Sequence, residues 1–122
     1  MRLSDKIKSW YLQRRRRTYL VRTRIVSRMS DVPEKLQGQA YIVKRNGKDM
    51  WLVFDCPCSS GHKLVLNLSR SRYPFWQTKL KKNVLNVLPS VWVTDECHSH
   101  FFIKNNDVVW ARDVPTHRPA AT

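Results

Sequence analysis

The sequence has few acidic residues and no long apolar run. It contains 9 Asp and Glu against 23 Lys and Arg, which gives a net charge of +14. No run of roughly 18 or more apolar residues is present, which argues against a membrane-spanning helix. The N-terminus is basic but no apolar stretch follows it, so we do not expect a secretory signal. These absences predict a cytoplasmic protein.

The 122 residues have room for one small domain. A hydrophobic content of 42%, with 5 Trp, 4 Tyr and 4 Phe, is enough for a single core and argues against a wholly disordered chain. The excess of positive charge favours an anionic partner, which is a nucleic acid, an acidic protein surface or anionic lipid.

Positive charge is concentrated at the N-terminus. Leu3, Ile7 and Trp10 recur at helical spacing, so the pattern predicts a basic amphipathic helix over about residues 4–16. Four consecutive cations in this arm are candidates for binding nucleic acid or another anionic partner. They are Arg14, Arg15, Arg16 and Arg17.

The rest of the chain is typical of short strands separated by turns. Asn46-Gly47 predicts a type I′ hairpin, and Asn105–Asp107 predicts a second hairpin with a three-residue loop. The predicted strands are Tyr19–Ser27, Ala40–Lys44, Met50–Phe54, Lys63–Leu68, Phe75–Lys79, Asn83–Leu88, His100–Lys104 and Val108–Ala111. The predicted fold class is therefore mainly β, a small antiparallel β domain with hairpins, behind an N-terminal basic amphipathic helix.

This organisation predicts three parts. Residues 1–30 form a basic helix and strand arm, residues 31–114 a metal-binding β domain, and residues 115–122 a flexible tail.

Four tryptophans lie in strand-like segments and are predicted to be core residues rather than base-stacking platforms. They are Trp51, Trp76, Trp92 and Trp110. Alternatively, the tract Val91–Val93 forms an exposed edge that binds a partner.

All 3 cysteines and three of the 4 histidines fall in two short, turn-rich windows. The windows are Cys56-Pro57-Cys58-Ser59-Ser60-Gly61-His62 and Cys97-His98-Ser99-His100. Zinc favours four thiolate or imidazole ligands in a tetrahedron, which two separate turns can supply. The clustering predicts a Zn²⁺ site with zinc knuckles rather than three inert cysteines.

Two ligand sets fit this prediction. The preferred set is Cys56, Cys58, Cys97 and His100, because it leaves no thiol unused. The alternative set replaces Cys56 with His62, since the C-x-C spacing is tighter than usual. An iron–sulfur site is a weaker alternative, because only half of a Rieske-like motif is present.

A catalytic alternative uses residues from the same windows. Ser60, Ser90 or Ser99 beside His62 or His98 would form a nucleophilic pair, and a zinc ion with a water ligand would form a hydrolase. The motifs G-x-S-x-G, H-E-x-x-H and H-x-E are all missing, so residue patterns alone favour binding over catalysis.

A longer series of motifs resembles a known family. The motifs are Cys56-Pro57-Cys58, Gly61-His62-x-Leu64-x-Leu66-Asn67-Leu68, Trp76, Leu88-Pro89-Ser90-Val91, Cys97-x-Ser99-His100-Phe101-Phe102-Ile103 and Val109-Trp110. Over roughly residues 31–112 the chain resembles the BubE type, a family of small bacterial proteins encoded in ubiquitin-like conjugation operons. Members of that family often carry a further cysteine where this chain has Ser60.

The resemblance implies a role in a ubiquitin-like conjugation pathway, as a peptidase that processes or removes the ubiquitin-like protein. It implies that protein, with its activating and conjugating enzymes, as partners. The catalytic candidates that it implies are Ser90, Ser99 and His62, together with His100. The alternative function is a zinc-stabilised basic module that binds nucleic acid, which would show a steep dependence on salt.

Overall fold

The computed structural model describes residues 18–58, 60–94 and 97–112. In these residues the chain forms eight strands and one short 3-10 helix, Met29–Asp31. The strands are β1 (Arg22–Val26), β2 (Gln39–Arg45), β3 (Lys48–Asp55), β4 (Lys63–Asn67), β5 (Gln77–Lys81), β6 (Val84–Trp92), β7 (His100–Lys104) and β8 (Asp107–Trp110). The mainly β class is confirmed, while the predicted N-terminal helix and C-terminal tail lie outside the described residues.

The strands form two four-stranded sheets, in the orders β1-β2-β3-β4 and β5-β6-β7-β8. All neighbours are antiparallel except β1 and β2, which are parallel. The wholly antiparallel prediction is therefore wrong at this edge. Residues 27–38 form a crossover connection long enough for the chain to return and pair in the same direction.

Both predicted hairpins are present, and each turns on two residues with positive φ. Asn46 and Gly47 have φ of 53° and 77°, as a type I′ turn requires. Asn105 and Asn106 have φ of 52° and 69°. The predicted three-residue loop is therefore wrong: two asparagines complete the turn, and Asp107 already belongs to β8.

The two sheets pack face to face around one apolar core. Phe54 from the first sheet and Phe101 from the second are fully buried and meet edge to face, with ring centroids 6.2 Å apart. The other buried members are Leu20, Ala40, Ile42, Leu52, Cys56, Leu66, Leu68, Leu85, Val87, Val91, Val93 and Ile103. Side chains alternate along the strands, and those that point inward form this core. On the opposite face of the first sheet, Leu36, Tyr41 and Val53 form a second, smaller cluster.

Two tryptophans predicted to be in the core are exposed. Trp92 is 59% exposed because its neighbour Val91 takes the inward position on β6. Trp110 is 51% exposed although it shares a face with its cross-strand partner Phe101, whose ring it contacts at 5.8 Å, because it ends the edge strand β8.

Val91 is buried beside Trp92. β5 pairs with β6 only over Val84–Leu88, so in these registers Val91 and Trp92 pair with β7 alone, and the role of the tract Val91–Val93 as a partner-binding edge stays a prediction. The Trp92 indole lies exposed on the outer face of the second sheet.

In the part of the chain that the structure describes, no helix has the length and apolar character needed to cross a membrane.

Candidate functional site

Three cysteines and one histidine converge where the two sheets meet. Cys56, Cys58 and His62 come from the connection between β3 and β4, and Cys97 comes from the connection between β6 and β7. Their ligand atoms all lie within 4.8 Å of one another. We call these four residues the Cys/His cluster.

The spacing of the Cys/His cluster fits a tetrahedral metal ion. Cys97 Sγ lies 3.5 Å from Cys56 Sγ and 3.4 Å from His62 Nε2. Around a tetrahedral zinc ion, two thiolate sulfurs are about 3.8 Å apart, and a sulfur and an imidazole nitrogen about 3.6 Å. Three sulfurs and one nitrogen also match the donor set of structural zinc sites. A backbone hydrogen bond of 2.8 Å, donated by Cys56 N–H to His62 O, closes the loop that carries three of the ligands.

The three thiols of the Cys/His cluster have different pKa values. Burial raises the pKa of Cys56 to about 12. A hydrogen bond with Ser60 lowers the pKa of Cys58 to about 6. At Cys97, burial raises the pKa, but hydrogen bonds with Ser99 and His62 outweigh it and the net shift is downward. The hydroxyls of Ser60 and Ser99 therefore stabilise negative charge on neighbouring sulfur.

A serine and a histidine are paired on the outer face of the second sheet. Ser90 Oγ, on β6, lies 2.9 Å from His100 Nε2, on β7. Both side chains are half-buried. A hydroxyl within hydrogen-bond distance of an imidazole nitrogen is the arrangement in which histidine can activate serine as a nucleophile. We call these residues the Ser–His pair.

An irregularity in β6 places Ser90 beside the histidine. Val87 pairs with Ile103, and Val91 pairs with Phe101, so four steps along β6 oppose two steps along β7. The extra residues form a bulge that contains Ser90, and bulges of this kind redirect side chains next to active sites. The indole of Trp76 donates a hydrogen bond of 3.1 Å to the carbonyl of Ser90, which fixes the backbone there.

Aromatic rings hold the imidazole in place. The Trp92 indole stacks on His100, with centroids 4.7 Å apart and planes 7° apart. These two residues are direct cross-strand partners in the β6–β7 register. The Phe102 ring also lies near the imidazole, with its centroid 6.4 Å away. Stacking from a cross-strand neighbour restricts the rotation of the His100 ring.

The structure separates residues that the sequence analysis had grouped together. His100, in the preferred ligand set, lies in the Ser–His pair, and the Cys/His cluster contains His62 instead. The reason is strand alternation: Phe101 points into the core, so its neighbour His100 points to the outer face. Ser99 is buried with Oγ 3.1 Å from Cys97 Sγ, so this serine adjoins the cluster rather than the outer face.

Other candidates are not brought to these sites. Ser60 Oγ lies 3.0 Å from Cys58 Sγ, and the exposed His98 has a φ of 55° in the turn before β7. The cations Arg14 to Arg17 lie outside the described residues. The pairing of Ser90 with His100 was missed by pattern reasoning, because no short motif records a cross-strand contact. The only sequence signal was the shared resemblance of both segments to one family.

These features define a small β-sandwich with a Ser–His pair on one sheet and a Cys/His cluster between the sheets. A sequence model of the family described as bacterial ubiquitination-like system serine protease (BubE) matches residues 25–111. The chain belongs to this family, as the motifs predicted. The match includes both the Ser–His pair and the Cys/His cluster. No curated protein and no solved structure matches the chain significantly.

Proposed function

We propose that this protein is a serine protease of a bacterial ubiquitination-like system, with Ser90 as nucleophile and His100 as general base. The observation that carries the proposal is the 2.9 Å contact between Ser90 Oγ and His100 Nε2. Membership of a family described as serine proteases supports it. The substrate is the ubiquitin-like protein, which the enzyme processes to its mature form or releases from a conjugate.

In the first half of the reaction, His100 Nε2 accepts the proton of the Ser90 hydroxyl while Oγ attacks the carbonyl carbon of the scissile bond. The tetrahedral intermediate collapses when the carbon–nitrogen bond breaks. His100 returns the proton to the departing amine, which leaves as a neutral product. The carboxyl side of the substrate remains attached to Ser90 as an ester.

In the second half, water replaces the amine. His100 accepts a proton from the water, whose oxygen attacks the ester carbonyl, and then donates the proton to Ser90 Oγ as the ester bond breaks. The products are the free hydroxyl of Ser90 and a carboxylic acid, which releases its proton to solvent and becomes a carboxylate. The stacked Trp92 ring supports this role, because it keeps Nε2 directed at Ser90 through both proton transfers.

The Cys/His cluster would hold a structural zinc ion. Three thiolates and the His62 imidazole would supply all four ligands that a structural zinc ion takes and would leave no position for a substrate or a reacting water molecule. The chemistry that zinc supplies there is cross-linking of the β3–β4 and β6–β7 connections. This arrangement also gives Ser99 a role, since its hydroxyl adjoins Cys97 and can stabilise the thiolate.

The catalytic proposal is tested with a ubiquitin-like protein of such a system, fused at its C-terminus to a reporter domain. We expect the wild-type chain to separate the two parts. Ser90→Ala and His100→Gln should each lower kcat/KM by about 1000-fold or more, as removal of a triad member does in serine proteases.

The matched control is Ser27→Ala, which removes an exposed hydroxyl from the turn after β1 and should leave the rate unchanged. Thermal unfolding of all variants checks that the fold is retained. Full activity in Ser90→Ala would contradict the proposal.

The alternative nucleic-acid function has no support in the described residues. Its candidate residues Arg14 to Arg17 lie outside them, and the family match begins at residue 25.

A further inference from the structure

The Ser–His pair lies at one end of a continuous row of side chains on the outer face of the second sheet. Trp92, His100 and Phe102 form successive ring contacts, and Lys104 Nζ lies 5.1 Å from the centroid of the Phe102 ring. We call these four residues the outer-face row. Trp92 is 59% exposed and Lys104 is exposed, so the row is open to solvent.

The middle of the outer-face row is apolar. Phe102 pairs with Val109 of β8, which is 42% exposed, and Leu88 on β6 is 43% exposed. Apolar side chains gathered on an outer sheet face are typical of binding surfaces. Leu88 precedes the candidate nucleophile Ser90 by two residues, and Phe102 follows its partner His100 by two residues.

The far end of the outer-face row is cationic. Lys104 makes no ion pair among the described residues. On β5, Lys79 and Lys81 alternate with the inward-facing Leu80 and so share the outer face. The four strands of this sheet, all of them described, contain one carboxylate, Asp107. Its Oδ1 accepts hydrogen bonds from the backbone N–H groups of Val108 and Tyr19, at 2.9 and 3.3 Å.

The spacing along β7 sets the length of a matching substrate. Phe102 and Lys104 follow His100 by two and four residues, which places Lys104 about 13 Å along the strand. An extended peptide lying along β7 covers the same distance with four residues, and every second side chain faces the sheet. Its second residue would meet the apolar middle of the row, and its fourth would meet the lysines.

We propose that the outer-face row is the substrate-binding surface of the protease. It selects an extended protein segment with an apolar residue two positions from the scissile bond. The same segment has an acidic residue four positions from that bond, and both residues lie on the same side of the bond. This inference rests on the proposed function and adds the chemical class of the segment that is cut.

The test digests a degenerate library of linear peptides with the full chain and identifies the cleavage sites by mass spectrometry, which resolves both sides of the scissile bond. We expect Asp and Glu to be enriched about two- to fivefold at the fourth position, the range typical of an exposed ion pair. Lys104→Glu should reduce the enrichment, because it replaces one of the three cations at this end with a carboxylate. High salt should remove the enrichment, because exposed charges are screened.

The matched control is Lys48→Glu, which makes the same charge change at an exposed position of β3 in the other sheet. This variant should retain the acidic preference. Labelling of Ser90 by a fluorophosphonate probe is measured on every sample, so that the two proposals can fail separately.

If Ser90 reacts with the probe, three results would overturn the inference. They are cleavage without an acidic preference, an acidic preference that is undiminished in Lys104→Glu, and a library that remains uncut. The absence of both labelling and cleavage would instead contradict the proposed catalytic function itself, and with it the inference that depends on it.

Discussion

At the scale of single residues, two histidines of this chain differ in their partners and therefore in their chemistry. His62 Nε2 lies 3.4 Å from Cys97 Sγ, whereas His100 Nε2 lies 2.9 Å from Ser90 Oγ. An imidazole among thiols suits a metal ion, and an imidazole beside a hydroxyl suits proton transfer. Cys97 and His100 are only three residues apart, so one short segment serves both sites.

The sequence predicted which residue types form the sites, but not how they divide between them. Clustering of cysteine and histidine in two turns was enough to predict a metal site. The C-x-x-H spacing made His100 an attractive ligand, because spacing along the chain does not record which face of a strand a residue occupies. The Ser90 contact depends on a bulge and a cross-strand register, which no local pattern reveals.

The division of the histidines predicts opposite effects on metal content. His62→Ala should lower the zinc content or affinity, because the tetrahedron loses one ligand. His100→Ala should retain about one zinc per chain and lose protease activity. Elemental analysis of the two purified variants and the wild type measures this difference. Loss of zinc from His100→Ala, with His62→Ala unaffected, would contradict the assignment.

At the scale of elements, the turn between β7 and β8 connects parts of the second sheet. Asn106 Oδ1 accepts a 2.7 Å hydrogen bond from the backbone N–H of the buried Leu85, and Asn106 Nδ2 donates to Asn83 O at 3.0 Å. Its backbone carbonyl accepts a bond from Leu20 N–H. One asparagine with positive φ therefore joins two hairpin turns to the segment that precedes β1.

This element was only partly predictable. The Asn46-Gly47 turn was correctly predicted because glycine in this context has a strong preference for type I′ hairpins. Asn105-Asn106 carries a weaker signal, and Asp107 after it resembles a continuing loop. Asn106 keeps a left-handed conformation because its side chain forms hydrogen bonds with Leu85 and Asn83. These contacts belong to the tertiary structure, so the local sequence does not reveal them.

Asn106→Ala should lower the free energy of unfolding by about 2–4 kcal/mol, because it leaves the Leu85 N–H without its partner and strains a residue with positive φ. Asn106→Gly should lower the free energy of unfolding by up to about 1 kcal/mol less than Asn106→Ala does, since glycine tolerates this φ. Urea unfolding measures both values.

The matched control for this prediction is Gly47→Ala, at the equivalent position of the other hairpin. Gly47 has a φ of 77°, and a Cβ added there has nothing within 4 Å. The substitution should therefore lower the free energy of unfolding by the backbone strain alone, about 1 kcal/mol. Equal stability of Asn106→Ala and the wild type would contradict the role assigned to the side chain.

At the scale of the whole molecule, the Cys/His cluster lies where the two sheets can be cross-linked. Three of its members follow β3 of the first sheet, and the fourth precedes β7 of the second. The two sheets also meet through apolar contacts such as Phe54 on Phe101, and through hydrogen bonds such as the one that Thr23 N–H donates to Asn83 Oδ1. A metal ion at the cluster would therefore join the sheets beside the segment that carries His100.

Removal of the metal should destabilise the entire domain. When the free metal concentration is a hundred times the Kd, binding adds about 2.7 kcal/mol to the free energy of unfolding. Loss of this contribution corresponds to a fall in Tm of roughly 10–20 °C for a domain of this size. Differential scanning calorimetry with and without a strong chelator measures the shift. The control is Cys97→Ala, in which the chelator should have little effect. An unchanged wild-type Tm would contradict a structural role for the metal.

The proposed mechanism requires Ser90 to be a nucleophile that His100 activates. The most direct measurement is the reaction of the full chain with a fluorophosphonate probe, followed by intact mass and peptide mapping. We expect one adduct, on Ser90, which disappears in Ser90→Ala, is strongly reduced in His100→Gln and persists in Ser99→Ala. An adduct on Ser99, or no adduct on the folded wild-type protein, would contradict it.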